Sequence, residues 1–293
     1  MLTVGFVGLG VMGQPMAANL AREGFPVRSY DRNGSGTCRS IADAASGADV
    51  FITMLPDGEA VREVVLEALP SLPRGAIVVD MSSSDPAGTR ALGIALAEKN
   101  VGFIDAPVSG AVVGARDATL TIMVGGEKTA LQKAKPILRA LGKQLFHVGP
   151  LGAGHAVKAL NNYLGAAGTL AGFEALLIAK AFGLEPKPML EAINASTGRN
   201  STTERKIGRD VLTGAFASGF KLALMAKDVA IAAQLAKGLG VETPFLRETL
   251  RTWREAQKQL PSGADHSEIY KYQERVARRG STAGKARGRR RRR

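Results

Sequence analysis

The feature that most narrows the fold lies at the start of the chain. An apolar run at residues 2–7 leads at once into Gly8-Leu9-Gly10-Val11-Met12-Gly13, and helical spacing covers residues 11–23. Strand, spaced glycines and helix in that order are what a dinucleotide-binding βαβ unit requires. Gly8 allows the tight turn, Gly10 lets a pyrophosphate approach the backbone, and Gly13 permits close packing of helix on strand. The phosphates then face the helix N-terminus, where unpaired N–H groups and the helix dipole favour an anion. A glycine-rich turn alone is a weak signal. Here Asp31 follows Gly13 by 18 residues, at the end of the next apolar run (27–31), where a carboxylate accepts hydrogen bonds from the adenosine ribose. Asp31 favours NAD because it repels a 2′-phosphate; the neighbouring Arg32 keeps NADP open.

Further short apolar runs fall at residues 50–54, 77–80, 102–105, 119–124 and 144–148, separated by helical stretches such as the face Val61, Val64, Val65 and Ala68. Continuous rather than alternating runs are expected of parallel strands buried on both faces, so an α/β, doubly wound Rossmann-type sheet is predicted. After Gly149-Pro150 such runs disappear, and Ala/Leu-rich helical segments follow at about 154–182, 186–195, 201–212, 222–239, 243–259 and 266–278. Pro186 stands where a helix can begin. The predicted organisation is a nucleotide-binding domain at 1–153, an all-α domain at 154–277 and a disordered Arg-rich tail at 278–293.

Two other clusters can carry chemistry. In Gly152-x-Gly154-x-x-x-Lys158-x-x-Asn161-Asn162, Lys158 and Asn162 are i and i+4 on one helix face and can reach one small polar group. By spacing alone the pair reads equally well as a snorkelling lysine beside a loop-capping amide. In Asp105-Ala106-Pro107-Val108-Ser109-Gly110-Ala111, a hydroxyl and successive backbone N–H groups can form an anion-binding concavity, and an ordinary turn fits as well. His147, His155 and His266 lack metal-ligand spacing, and His155 is near Lys158 by position only. No metal site is expected.

The net charge of +13 misleads, because nine of the basic residues lie between Arg278 and Arg293, where there is no acid. A run of this kind binds polyanions without specifying a partner, so nucleic acid is a candidate only through the tail. Cys38 is the single cysteine, which rules out an intrachain disulfide. No apolar run reaches the ~18 residues of a membrane helix. With no basic leader at the N-terminus, a cytoplasmic enzyme without a membrane partner is the expectation.

Together these blocks, with Phe220 and Lys227-Asp228, resemble the β-hydroxyacid dehydrogenase family over nearly the whole chain, from Gly5 to about Val276. That family includes 3-hydroxyisobutyrate dehydrogenase and tartronate semialdehyde reductase and shares the 6-phosphogluconate dehydrogenase-like architecture. The resemblance implies NAD(P)-dependent hydride transfer to or from a small carboxylate-bearing hydroxyacid or semialdehyde, by a homodimer or homotetramer. It implies Lys158 as general acid/base with Asn162 beside it, and Ser109, Gly110 and Ala111 as substrate cradle. Leu55, Pro56, Ser83 and Lys227 would contact the cofactor, and Phe220 and Asp228 would wall the active site. The family usually has Gly where this chain has Ala111, whose methyl narrows the cradle, and Thr where it has Ser83. Imine reductases resemble this architecture but usually lack a lysine at position 158. A binding protein acting through its basic tail is the alternative of a different class, and Lys158 argues against it.

Overall fold

The computed structural model describes residues 1–278, in two compact units, Met1–Leu160 and the chain from Asn161 onward. Residues 279–293, which hold most of the expected Arg-rich tail, lie outside the described residues.

In the first unit eight strands form one sheet: β1 (Val4–Val7), β2 (Val27–Tyr30), β3 (Val50–Thr53), β4 (Ile77–Asp80), β5 (Gly102–Asp105), β6 (Val108–Ser109), β7 (Leu120–Gly126) and β8 (Gly142–Gly149). Their order is β2-β1-β3-β4-β5-β7-β6, with β8 also paired to β7. The helices between them are α1 (Gly13–Arg22), α2 (Ile41–Ala45), α3 (Gly58–Ala68), α4 (Pro86–Glu98), α5 (Ala111–Arg116) and α6 (Lys128–Leu141). Both sheet faces are buried, which is why the strand sequences do not alternate. Val4, Phe6, Val50, Ile52, Ile77 and Val79 pack toward α1 and α6, and Val7, Phe51, Val78 and Phe103 toward α2, α3 and α4. Burying each large side chain contributes ~1.5–3 kcal/mol.

Strands β1 to β5 are parallel, as expected, but β7 runs antiparallel to β5 and β6. Only residues 110–119 separate β6 from β7, fewer than the dozen or so that a parallel crossover needs, and the short α5 fills that loop. Strand order reverses between β1, whose next strand lies on one side, and β3 on the other. Ligands of such sheets bind beyond the strand ends at that point, where the Gly8–Gly13 loop begins.

The 30-residue helix α7 (Ala153–Phe182) starts in the first unit and continues into the second. Among the described residues it is the single helix long and apolar enough to cross a membrane, which corrects the expectation that no apolar run reaches that length. Its apolarity comes from Ala, Gly and Leu spread around polar positions, and Ala166, Leu170, Phe173 and Leu176 are core residues. The second unit adds α8 (Pro186–Asn194), α9 (Leu222–Gly238), α10 (Pro244–Gln259) and a terminal helix over 269–278. The stretch read as a helix at 201–212 is a π-helix, Thr202–Val211. It approaches α7 where Gly172 leaves room, since a Cβ there would stand 3.1 Å from Thr202. The segment expected as one helix from 266 begins with a 3-10 turn, His266–Glu268, capped by Asp265.

Candidate active site

The glycine loop has the shape a dinucleotide needs. Gly8 has φ +100°, a backbone region other residues rarely adopt, and a Cβ at Gly13 would stand 1.8 Å from the Gly8 carbonyl oxygen. A Cβ at Gly10 would meet nothing within 4 Å, so that glycine leaves open space above the loop. Ser40, Asp57 and Asp85 cap α2, α3 and α4 with their side chains, whereas no side chain caps α1 and its first turn holds no acid. That end is therefore suited to an anion. The Asp31 carboxylate accepts from Leu9 N at 2.6 Å and Asn33 N at 3.0 Å, tying the glycine loop to the end of β2. A carboxylate has about four acceptor positions, so capacity remains for a ribose hydroxyl. Arg32 beside it is exposed. These residues fit an NAD(P) molecule.

The remaining first-unit candidates lie on loops at the same ends of the sheet. Leu55 and Pro56 follow β3, Ser83 follows β4, and Ser109 ends β6. Leu55 N donates to Ser82 Oγ at 2.9 Å, joining two of these loops. Gly110 and Ala111 open α5 with φ of 139° and 54°, so Ala111 holds a left-handed conformation that costs an alanine about 1 kcal/mol or more. Asn19 of α1 donates to the carbonyl of Ala115 at 2.7 Å, which fastens α5 to the glycine-loop helix. Lys158 is half-buried, in the second turn of α7.

In the second unit, Asn162, Asp228 and Lys227 come together. Asn162 is buried and its Nδ2 donates to Asp228 Oδ2 at 2.6 Å; the other Asp228 oxygen lies 3.3 Å from Lys227 Nζ. Asp228 thus sets the Asn162 amide without itself being exposed. The ring of Phe220 packs edge-on against His266, with centroids 5.6 Å apart.

Sequence reasoning passed over a buried polar cluster in the first unit. Asp80 and Asp105, which end β4 and β5, have fully buried side chains with His155 between them. The available signal was an aspartate ending each of two successive apolar strands, a costly place for a carboxylate unless it has partners.

Comparison with known proteins agrees with this architecture. A model described as the NAD binding domain of 6-phosphogluconate dehydrogenase matches residues 3–149, and one described as NAD-binding of NADP-dependent 3-hydroxyisobutyrate dehydrogenase matches residues 152–273. The 2-(hydroxymethyl)glutarate dehydrogenase of Eubacterium barkeri is 37% identical over 83% of this chain and 85% of its own. The NAD-dependent L-serine dehydrogenase of Pseudomonas aeruginosa is 36% identical over 92% and 97%. The structure of Mycobacterium tuberculosis 3-hydroxyisobutyrate dehydrogenase with L-serine superposes with a TM-score of 0.87 at 31% identity, over 93% of this chain and 99% of that one. Glycine cradle, doubly wound sheet and helical second unit define a nicotinamide-dinucleotide oxidoreductase. Within that class, the chain belongs to the β-hydroxyacid dehydrogenase family.

Proposed function

We propose that the chain interconverts a small β-hydroxyacid and its semialdehyde, with Lys158 as general acid/base. The reading rests first on α7, where Lys158 and Asn162 share one face and the amide of Asn162 is fixed by Asp228 at 2.6 Å. The substrates in the names of the relatives narrow the class. L-Serine, 3-hydroxyisobutyrate and 2-(hydroxymethyl)glutarate all contain HO–CH2–CH(R)–COO⁻ and differ only in R.

When bound, the nicotinamide accepts the hydride in oxidation and supplies it in reduction. Open space at Gly10 and the uncapped start of α1 would hold the pyrophosphate and Asp31 the ribose, which favours NAD. Leu55, Pro56, Ser83 and Lys227 are the further cofactor contacts in this reading, with Phe220 and Asp228 on the substrate side. Ser109 Oγ and the amides of Gly110 and Ala111 bind the carboxylate, which sets the carbon presented for hydride transfer. In oxidation the neutral amine of Lys158 takes the hydroxyl proton; in reduction its ammonium returns a proton to the forming alkoxide and stabilises that oxygen. Asn162 orients the same oxygen without titrating. A homodimer or homotetramer also belongs to this reading, supported by the exposed Leu160, Leu164, Ile178 and Phe182 of α7. Sedimentation as a monomer at micromolar concentration would remove that part.

The test is a 340 nm assay of NAD⁺ and NADP⁺ with L-serine, 3-hydroxyisobutyrate and 2-(hydroxymethyl)glutarate, beside Lys158→Ala. Turnover lost in the variant while NADH binding persists is the expected result. Equal turnover by both proteins would refute the role of Lys158.

A further inference from the structure

We propose that His155, held between Asp80 and Asp105, is a positioning residue that seats the start of α7, and with it Lys158, against the loops after β3, β4 and β5. The inference rests on Lys158 as the acid/base.

Asp80 Oδ1 accepts from Thr53 Oγ1 at 3.0 Å and from Ser82 N at 2.9 Å, and Oδ2 accepts from Ser84 Oγ at 2.6 Å. Asp105 receives two backbone groups from the opening of α7, Gly152 N on Oδ1 and His155 N on Oδ2, both at 2.7 Å. The imidazole completes the cluster. Its Nε2 lies 3.5 Å from Asp80 Oδ2, and its Nδ1 lies 2.8 Å from Thr89 Oγ1 of α4. Thr89 Oγ1 also lies 3.0 Å from the carbonyl of Asp85, so it ties the ring to the start of α4.

Burying two carboxylates and an imidazole is expensive, and well-packed apolar groups usually stabilise a core at least as well. What the cluster supplies is geometry. Ser82 and Ser84 flank Ser83, Ser82 also accepts from Leu55 N, and Asp105 opens the segment that leads to Ser109. His155 precedes Lys158 by three residues, one helical turn. Four segments that carry the proposed site therefore meet on one buried cluster, which Leu55 joins through Ser82. The seat is tight, since a Cβ at Gly154 would stand 2.4 Å from the Met123 carbonyl oxygen and 2.8 Å from Asp105 Oδ2.

The experiment compares wild type, His155→Phe, His155→Asn and Lys158→Ala in the assay above, and follows hydrogen exchange of residues 153–160 by mass spectrometry. His155→Phe keeps the ring but removes both nitrogens. We expect kcat to fall 10–100-fold, with KM and NADH affinity within twofold of wild type, and exchange of 153–160 to accelerate while that of 13–22 holds. His155→Asn, which returns a polar group toward Thr89, should recover most of kcat. A Phe variant with wild-type kcat, or with unchanged exchange at 153–160, overturns the proposal, even where Lys158→Ala is inactive. Lys158→Ala turning over at the wild-type rate identifies failure of the underlying reading instead. Should His155→Phe not fold, Thr89→Val removes the Nδ1 partner together with the Thr89–Asp85 bond inside α4; a three- to tenfold loss of kcat is expected, and no loss overturns the proposal.

Discussion

Gly10→Ala separates the fold from the cofactor site. A Cβ at Gly10 meets no atom within 4 Å, and its backbone is not in the left-handed region, so the folded protein accommodates the methyl without strain. Losing glycine's freedom in the unfolded chain stabilises by ~0.4–1 kcal/mol, which raises Tm by about 1–3 °C for a chain of this size. In the proposed site the same methyl stands where the pyrophosphate would approach the backbone. Losing one charge-assisted hydrogen bond to phosphate costs ~1.5–3 kcal/mol, so the Kd for NADH should rise about 10–100-fold. Fluorescence titration with NADH at fixed ionic strength and a circular-dichroism melt check the two arms. An NADH affinity within threefold of wild type would refute the placement of the pyrophosphate over Gly10. Gly13→Ala is the contrasting control. Its Cβ would stand 1.8 Å from the Gly8 carbonyl oxygen, so α1 has to move, and both stability and binding should be lost.

Ala111→Gly should relieve the left-handed alanine at φ 54° and stabilise by ~0.5 kcal/mol, net of the greater freedom glycine has when unfolded. It should also lower KM for 2-(hydroxymethyl)glutarate relative to L-serine; an unchanged ratio would take Ala111 out of the cradle. His266 is buried with no hydrogen bond to either ring nitrogen among the described residues, and burial, followed by the charge of Lys206, pushes its pKa down to about 4. Between about pH 6.5 and pH 4 the unfolded chain binds a proton that the folded chain refuses, so this stability is whole above 6.5 and falls by about 3 kcal/mol on acidification. The urea midpoint of wild type measured relative to that of His266→Leu should therefore fall from pH 7 to pH 5, and a constant difference would contradict it.

Much of the fold was legible because it is written in local patterns. Apolar runs without alternation mark strands buried on both faces, and three glycines between strand and helix mark the phosphate loop, whatever the rest of the chain does. The antiparallel β7 was not legible, because strand direction depends on where a short connection can return. Nor was the π-helical turn of Thr202–Val211, whose residues read as ordinary helix.

At the site the division is sharper. The sequence by itself placed Lys158 and Asn162 on one helix face and Asp31 at the end of the second strand, since helical period and strand length determine both. Only the tertiary structure decided that Asp105 grips the start of α7 from 47 residues away in sequence, and that Asp228 holds Asn162 from 66 residues away. Nothing in the spacing of His155 marks it as the residue between two buried carboxylates. Such contacts form only after the sheet and helices have packed. They are made because a carboxylate that loses its water on burial is costly unless protein donors take the place of that water.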